Sequence, residues 1–137
     1  MLYKASNAGV KIRLLVRGIC SLVAGIKGQS ENIYVTSILD RFLEHGRIYI
    51  FGNDGDEKMY IGSADWMKRN LSHRIEVVTP VLDQDHHNTI RGLIEIQLND
   101  NVKARIIDPD QKNEYVKHGN PAVRAQYDTY DYFKDLS

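Results

Sequence analysis

His45, Arg47, Gly62, Ser63 and Asp65 are residues whose types and spacing can do chemistry together. A neutral imidazole accepts or donates a proton near pH 7, and a guanidinium binds oxyanions through paired N–H groups. Two residues apart in an extended chain, His45 and Arg47 project from the same side. Such a pair suits a phosphoryl group. Downstream, Gly62-Ser63-Ala64-Asp65-Trp66-Met67 lies where a strand is expected to give way to a helix, and backbone N–H groups exposed at such a turn favour anions. Plainer readings stand beside these. A single His is more often structural or merely exposed than catalytic. Asp65 would favour the start of its helix through the helix dipole, and Trp66 reads as core packing. His86 and His87 are adjacent near a helix start and point in different directions, so they do not share a metal in this reading. His73 and His118 carry no role.

Other routes to phosphate are missing from the sequence. It has no G-x-x-x-x-G-K-[ST] loop, no G-x-G-x-x-G after a strand and no cysteine pair for zinc. Nucleotide or phosphate would therefore be handled by side chains. The 137 residues carry 18 Lys and Arg against 18 Asp and Glu, a net charge of zero. No global field advertises nucleic acid or a membrane, and an anion site must come from local clustering of Arg. Cys20, the one cysteine, excludes an internal disulfide, fits a reducing compartment and reads as a small buried apolar residue beside a strand. No apolar run approaches bilayer length and the first residues do not form a signal peptide, so a cytoplasmic protein is expected.

The elements that must position these residues alternate. Leu2 to Ala8 forms about two helical turns closed by Gly9, short enough to read as the stump of a longer helix in a truncated chain. Strands are expected over Val10 to Val16, Ile33 to Ile38, Arg47 to Phe51, Lys58 to Ile61, Arg74 to Pro80 and Val102 to Ile107. Gly52-Asn53-Asp54-Gly55 signals a hairpin. Leu39 to Glu44 is expected to make a helical turn, and Ser63 to Asn70 a short helix capped by Ser63. Asp83 caps a helix to Leu98, and Ala122 to Leu136 closes the chain as another helix, after a loop from Asp108 to Pro121. Interleaved strands and helices give one α/β domain over residues 1–137, a mixed β-sheet flanked by helices.

His45-x-Arg47 followed by Gly62-Ser63-x-Asp65 resembles the half-site of the phospholipase D superfamily, usually His-x-Lys followed by Gly-Ser-x-Asn. Arg replaces Lys, Asp replaces Asn, and a hairpin widens the gap. The strings VRGICSL (from Val16), SILDRFLEHGRIYIFGNDGD (from Ser37) and YIGSADWMKRNLSHRIEV (from Tyr60) resemble successive blocks of bacterial polyphosphate kinases in the same order. VKARIID and VRAQYDTYDYFK resemble the end of that family's chain, so the similarity runs over nearly all residues.

The resemblance implies a second, C-terminal phospholipase-D-like domain of an enzyme that moves the terminal phosphoryl group of ATP onto inorganic polyphosphate. The reaction passes through a phosphohistidine and uses magnesium. The phosphorylated His belongs to an upstream domain, as do the magnesium ligands, so no metal site is assigned to this chain. His45 matches a second active-site His that assists transfer as acid or base. Arg17 and Arg74 match basic residues contacting the nucleotide phosphates; the residues alone do not single them out over Arg13, Arg41 or Arg47. The implied partners are ATP or ADP, polyphosphate and the remaining domains of a homo-oligomeric parent, with no nucleic acid and no transmembrane segment. On this reading the chain alone is inactive. Two other functions compete: a phosphodiesterase of the phospholipase D type in which two chains each supply a half-site, and a non-catalytic anion-binding module.

Overall fold

Runs of β-branched residues favour extended chain, and segments long enough to show the helical period favour helices. The computed structural model describes residues 1–117, 119 and 121–136. In chain order its elements are α1 (Leu2–Asn7), β1 (Ile12–Leu15), β2 (Ile33–Ile38), β3 (Ile48–Phe51), β4 (Lys58–Gly62), α2 (Lys68–His73), β5 (Val78–Pro80), α3 (Gln84–Leu98), β6 (Ala104–Ile106) and α4 (Ala125–Leu136). The class is mixed α/β. Its strands are divided over two three-stranded sheets, β1-β2-β6 and β3-β4-β5, instead of forming one. The division follows from local pairing: β3 and β4 form a hairpin that β5 extends antiparallel, closing a sheet from one stretch of chain. His118, expected to have no role, lies outside the described residues.

The chain packs as two compact units. The first comprises Met1–Leu43 and the stretch from Leu93 onward. Its sheet is mixed: β1 runs parallel to β2 with Ile12 opposite Ile33, and β6 runs antiparallel to β2 with Ile106 opposite Thr36. Ala24, Ile33 and Val35 form a buried core on which Leu2, Tyr3, Ile12, Leu14, Cys20 and Ile107 pack. Cys20 is half-buried there, with its thiol directed at the Leu22 carbonyl at 3.6 Å. The parallel pair needs a long crossover, and buried Ser30 braces it by donating to the Val23 carbonyl at 2.6 Å and accepting from the Ile26 N–H at 3.1 Å. α1 ends where expected, with Gly9 in the left-handed region at φ 88°.

The helical turn expected over Leu39 to Glu44 does not form. Its backbone is claimed elsewhere: the Gln126 side chain accepts from the Phe42 N–H at 2.8 Å and donates to the Phe42 carbonyl at 2.7 Å. Asp40 is held by Arg124 through two hydrogen bonds of 2.7 Å.

The second unit is Glu44–Gly92. Its sheet is antiparallel, with Ile48 opposite Ile61 and Ile61 opposite Thr79. The hairpin tip turns through Asn53, Asp54 and Gly55, all at positive φ, which suits Asn, Asp and Gly. α3 begins in this unit, where Asp83 caps it as expected by accepting from the Asp85 and His86 N–H groups at 3.0 and 2.9 Å. Among the described residues, no helix is long and apolar enough to cross a membrane.

Candidate functional site

The hairpin that separates the two motifs in sequence brings them together in space. Antiparallel pairing of β3 with β4 sets Ile48 opposite Ile61, so His45-x-Arg47 meets Gly62-Ser63-x-Asp65 at the open end of the ladder. The Gly62 N–H donates to the Arg47 carbonyl at 2.9 Å. Space at Gly62 is tight: a Cβ there would lie 3.1 Å from Val78 Cγ2 and 3.2 Å from the Val77 carbonyl oxygen. Tyr49 reinforces the junction, its hydroxyl donating to the Ala64 carbonyl at 3.0 Å and its ring stacking on Trp66. Trp66 is 58% exposed, so the expected core role reduces to this one stacked face.

At the junction Arg47 Nε and Nη2 donate to Asp65 Oδ1 at 3.1 and 3.0 Å, and its Nη1 donates to the His45 carbonyl at 2.9 Å. His45 itself is exposed at the approach to β3. Asp65 therefore meets a guanidinium; it does not start a helix, because α2 begins only at Lys68.

Ser63 is not the cap of that helix. Its hydroxyl donates to Glu76 Oε2 and accepts from the Val77 N–H at 3.1 Å. Glu76 Oε1 accepts from buried Asn70 Nδ2 at 2.8 Å. These contacts occupy residues 76 and 77, so only Val78–Pro80 of the strand expected from Arg74 pairs with β4. The Ser63 and Asn70 hydrogen bonds hold the Glu76 carboxyl below its ordinary range, and the positive charges of Arg74 and Arg47 add to the effect. Arg74 is exposed in extended backbone just after α2.

The second unit thus gathers Arg47, Asp65, Ser63, Asn70 and Glu76, within the field of Arg74. Arg17 stands in the first unit, exposed two residues beyond β1; the crevice outside the carboxyl ends of strands is the usual ligand side of an open α/β sheet. Sequence reasoning passed over Glu76 and Asn70 as site elements. A carboxylate two residues after an Arg reads as an ordinary surface partner, and only the fold reveals Ser63 and Asn70 on its two oxygens. Among the described residues, no three His, Cys, Asp or Glu side chains gather where they could hold one metal ion.

Comparison with known proteins gives a consistent result. A family model described as polyphosphate kinase C-terminal domain 2 matches residues 1–126. The chain is 56% identical over 136 residues to a polyphosphate kinase of Yersinia pestis, and 53% identical to one of Escherichia coli strain K12. Each match covers 98% of this chain and 20% of the relative. The crystal structure of polyphosphate kinase from Porphyromonas gingivalis is similar with a TM-score of 0.95 at 51% identity, over 98% of this chain and 21% of that one. The chain therefore spans about a fifth of the length of the relatives it matches.

Proposed function

This chain belongs to the polyphosphate kinase C-terminal domain 2 family, and from that premise we propose that it supplies one side of an active site for phosphoryl transfer between ATP and inorganic polyphosphate. The observation that carries the proposal is similarity at 51% identity, over 98% of the chain, to a solved polyphosphate kinase. The chain is the second phospholipase-D-like domain of a longer, cytoplasmic, homo-oligomeric enzyme. An upstream domain holds the His that becomes phosphorylated. In the first half-reaction a phosphorus–nitrogen bond forms to that His as the γ-phosphoryl bond of ATP breaks and ADP leaves. In the second, a terminal polyphosphate oxygen attacks phosphorus and the phosphorus–nitrogen bond breaks.

Transfer of this kind crowds negative oxygens together, so catalysis is chiefly positioning and charge stabilisation. Arg17 and Arg74 bind the phosphates through the paired N–H groups of their guanidinium forks. His45 donates a proton to the departing oxygen or takes one from the attacking oxygen. Magnesium, bound through ligands outside this chain, supplies charge neutralisation on the phosphates. In-line attack needs groups on both faces of phosphorus, and this domain furnishes one of them.

The test is reconstitution. Joined to its upstream domains, the chain is expected to convert ATP to polyphosphate, and His45→Ala should remove about 100-fold or more of that rate. By itself, given labelled ATP, it should neither turn over nor retain acid-labile phosphate. Undiminished synthesis by His45→Ala, or stable phosphate on the isolated chain, would overturn the reading. Phosphodiester hydrolysis by the chain alone would favour the phosphodiesterase.

A further inference from the structure

We infer that Arg47 and Asp65 form a positioning pair for His45 and are not a phosphate-binding site, an inference that rests on the catalytic reading of His45. Position 47 invites the opposite view, since an Arg two residues after a His would ordinarily be assigned to the phosphoryl group. The geometry points elsewhere. Arg47 presents the side of its fork, Nε and Nη2, to a single oxygen of Asp65 at 3.1 and 3.0 Å, and turns Nη1 back onto the His45 carbonyl at 2.9 Å. Three of the five guanidinium N–H groups are thereby committed to acceptors of the chain itself. The Asp65 charge beside them cancels much of the attraction that the cation would exert on phosphate.

The pair is also built in. The Arg47 and Asp65 side chains are 25% and 38% exposed, and their backbones are joined by the β3–β4 ladder, by the Tyr49 hydroxyl on the Ala64 carbonyl and by the Tyr49–Trp66 stack. An exposed ion pair between two free-swinging side chains has none of this support. What the arrangement achieves is specific to His45. That residue precedes β3, outside the ladder, and among the described residues Arg47 Nη1 donates to its carbonyl. Through Arg47, the peptide that carries the imidazole is anchored to the Gly-Ser-x-Asp turn. The Asp in place of the Asn usual in the resembling motif then has a reason: a carboxylate is the partner a guanidinium requires to stay turned inward.

The test uses the full-length enzyme containing this domain, with R47K, D65N, their combination and H45A. Lysine keeps the charge but, with one nitrogen, cannot reach Asp65 and the His45 carbonyl in the same geometry. Each single variant should lower kcat by about 10- to 100-fold, the range expected when a reacting group is slightly misplaced. KM for ATP and for polyphosphate should stay within about twofold, and the double variant should be no worse than the poorer single one. Melting temperatures are recorded alongside; should D65N fail to fold, R47K carries the same test. A loss lodged in KM with kcat retained, or wild-type kcat in D65N, overturns the inference. H45A separates the two levels: full activity there removes the catalytic reading itself, whereas an inactive H45A beside a fully active D65N removes only the positioning role.

Discussion

The Asp100 carboxylate accepts the backbone N–H of Ala125 at 2.7 Å across 25 residues of chain, and its other oxygen takes the N–H groups of Val102, Lys103 and Ala104 at 3.0, 2.6 and 2.8 Å. One side chain, 1% exposed, thereby sets the entry to β6 and the first turn of α4 together. Asp100→Ala would strand four N–H donors, two of them on the buried residues Ala104 and Ala125. The expected cost is about 3 kcal/mol or more. Denaturant unfolding of the variant against the parent chain checks it.

The Asp40–Arg124 pair predicts an acid limb in stability. Two 2.7 Å hydrogen bonds from Arg124 hold the Asp40 carboxyl below its ordinary value of 3.8. A depressed carboxyl stabilises the fold above its unfolded pKa and loses that contribution as pH falls through the lower folded value. The Asp40→Asn variant should therefore be less stable than the parent at neutral pH. The gap should narrow below about pH 3.8, the ordinary value. Melting temperatures of both proteins between pH 7 and pH 2.5 provide the comparison, and parallel curves would contradict it.

Gly62 predicts a steric cost at the junction of the two motifs. An alanine Cβ must displace Val78 Cγ2 or the Val77 carbonyl, at 3.1 and 3.2 Å. Overpacking of this kind costs about 1–3 kcal/mol. Since the carbonyl is backbone, part of that strain should pass to the Ser63–Glu76 contact beside it. Gly62→Ala should thus lower both the melting temperature and the kcat of the full-length enzyme.

Lys68 opens the short helix α2 and Arg74 follows its last residue, both exposed. On the proposed assignment Arg74 binds phosphate and Lys68 does not. Losing a charge-assisted hydrogen bond costs about 1.5–3 kcal/mol, so Arg74→Ala should reduce kcat/KM roughly 10- to 100-fold in the full-length enzyme. Lys68→Ala should stay within about twofold. Equal losses would remove the reason for distinguishing Arg74.

What the sequence made legible was local. Ile33–Ile38, the hairpin from β3 to β4 and the Asp83 cap all follow from residue type and near neighbours, and all stand where expected. What it concealed depends on distant partners. No periodicity around Phe42 betrays that Gln126, 84 residues on, will take both of its backbone groups. Ser63 carries a cap signature, yet Glu76 and the Val77 N–H offer its hydroxyl better partners. The His45-x-Arg47 and Gly62-Ser63-x-Asp65 motifs were visible as strings, but that Arg47 and Asp65 satisfy one another appears only once β4 folds back on β3.

The turn at Asn53–Gly55 lies at the opposite end of that ladder from His45 and Asp65. Extra residues inserted there would extend away from the chemistry and leave the pairing of Ile48 with Ile61 in register. The tip is therefore a place to graft an epitope or a fluorophore, so that the full-length protein can be followed without disturbing the groups proposed to act on phosphate.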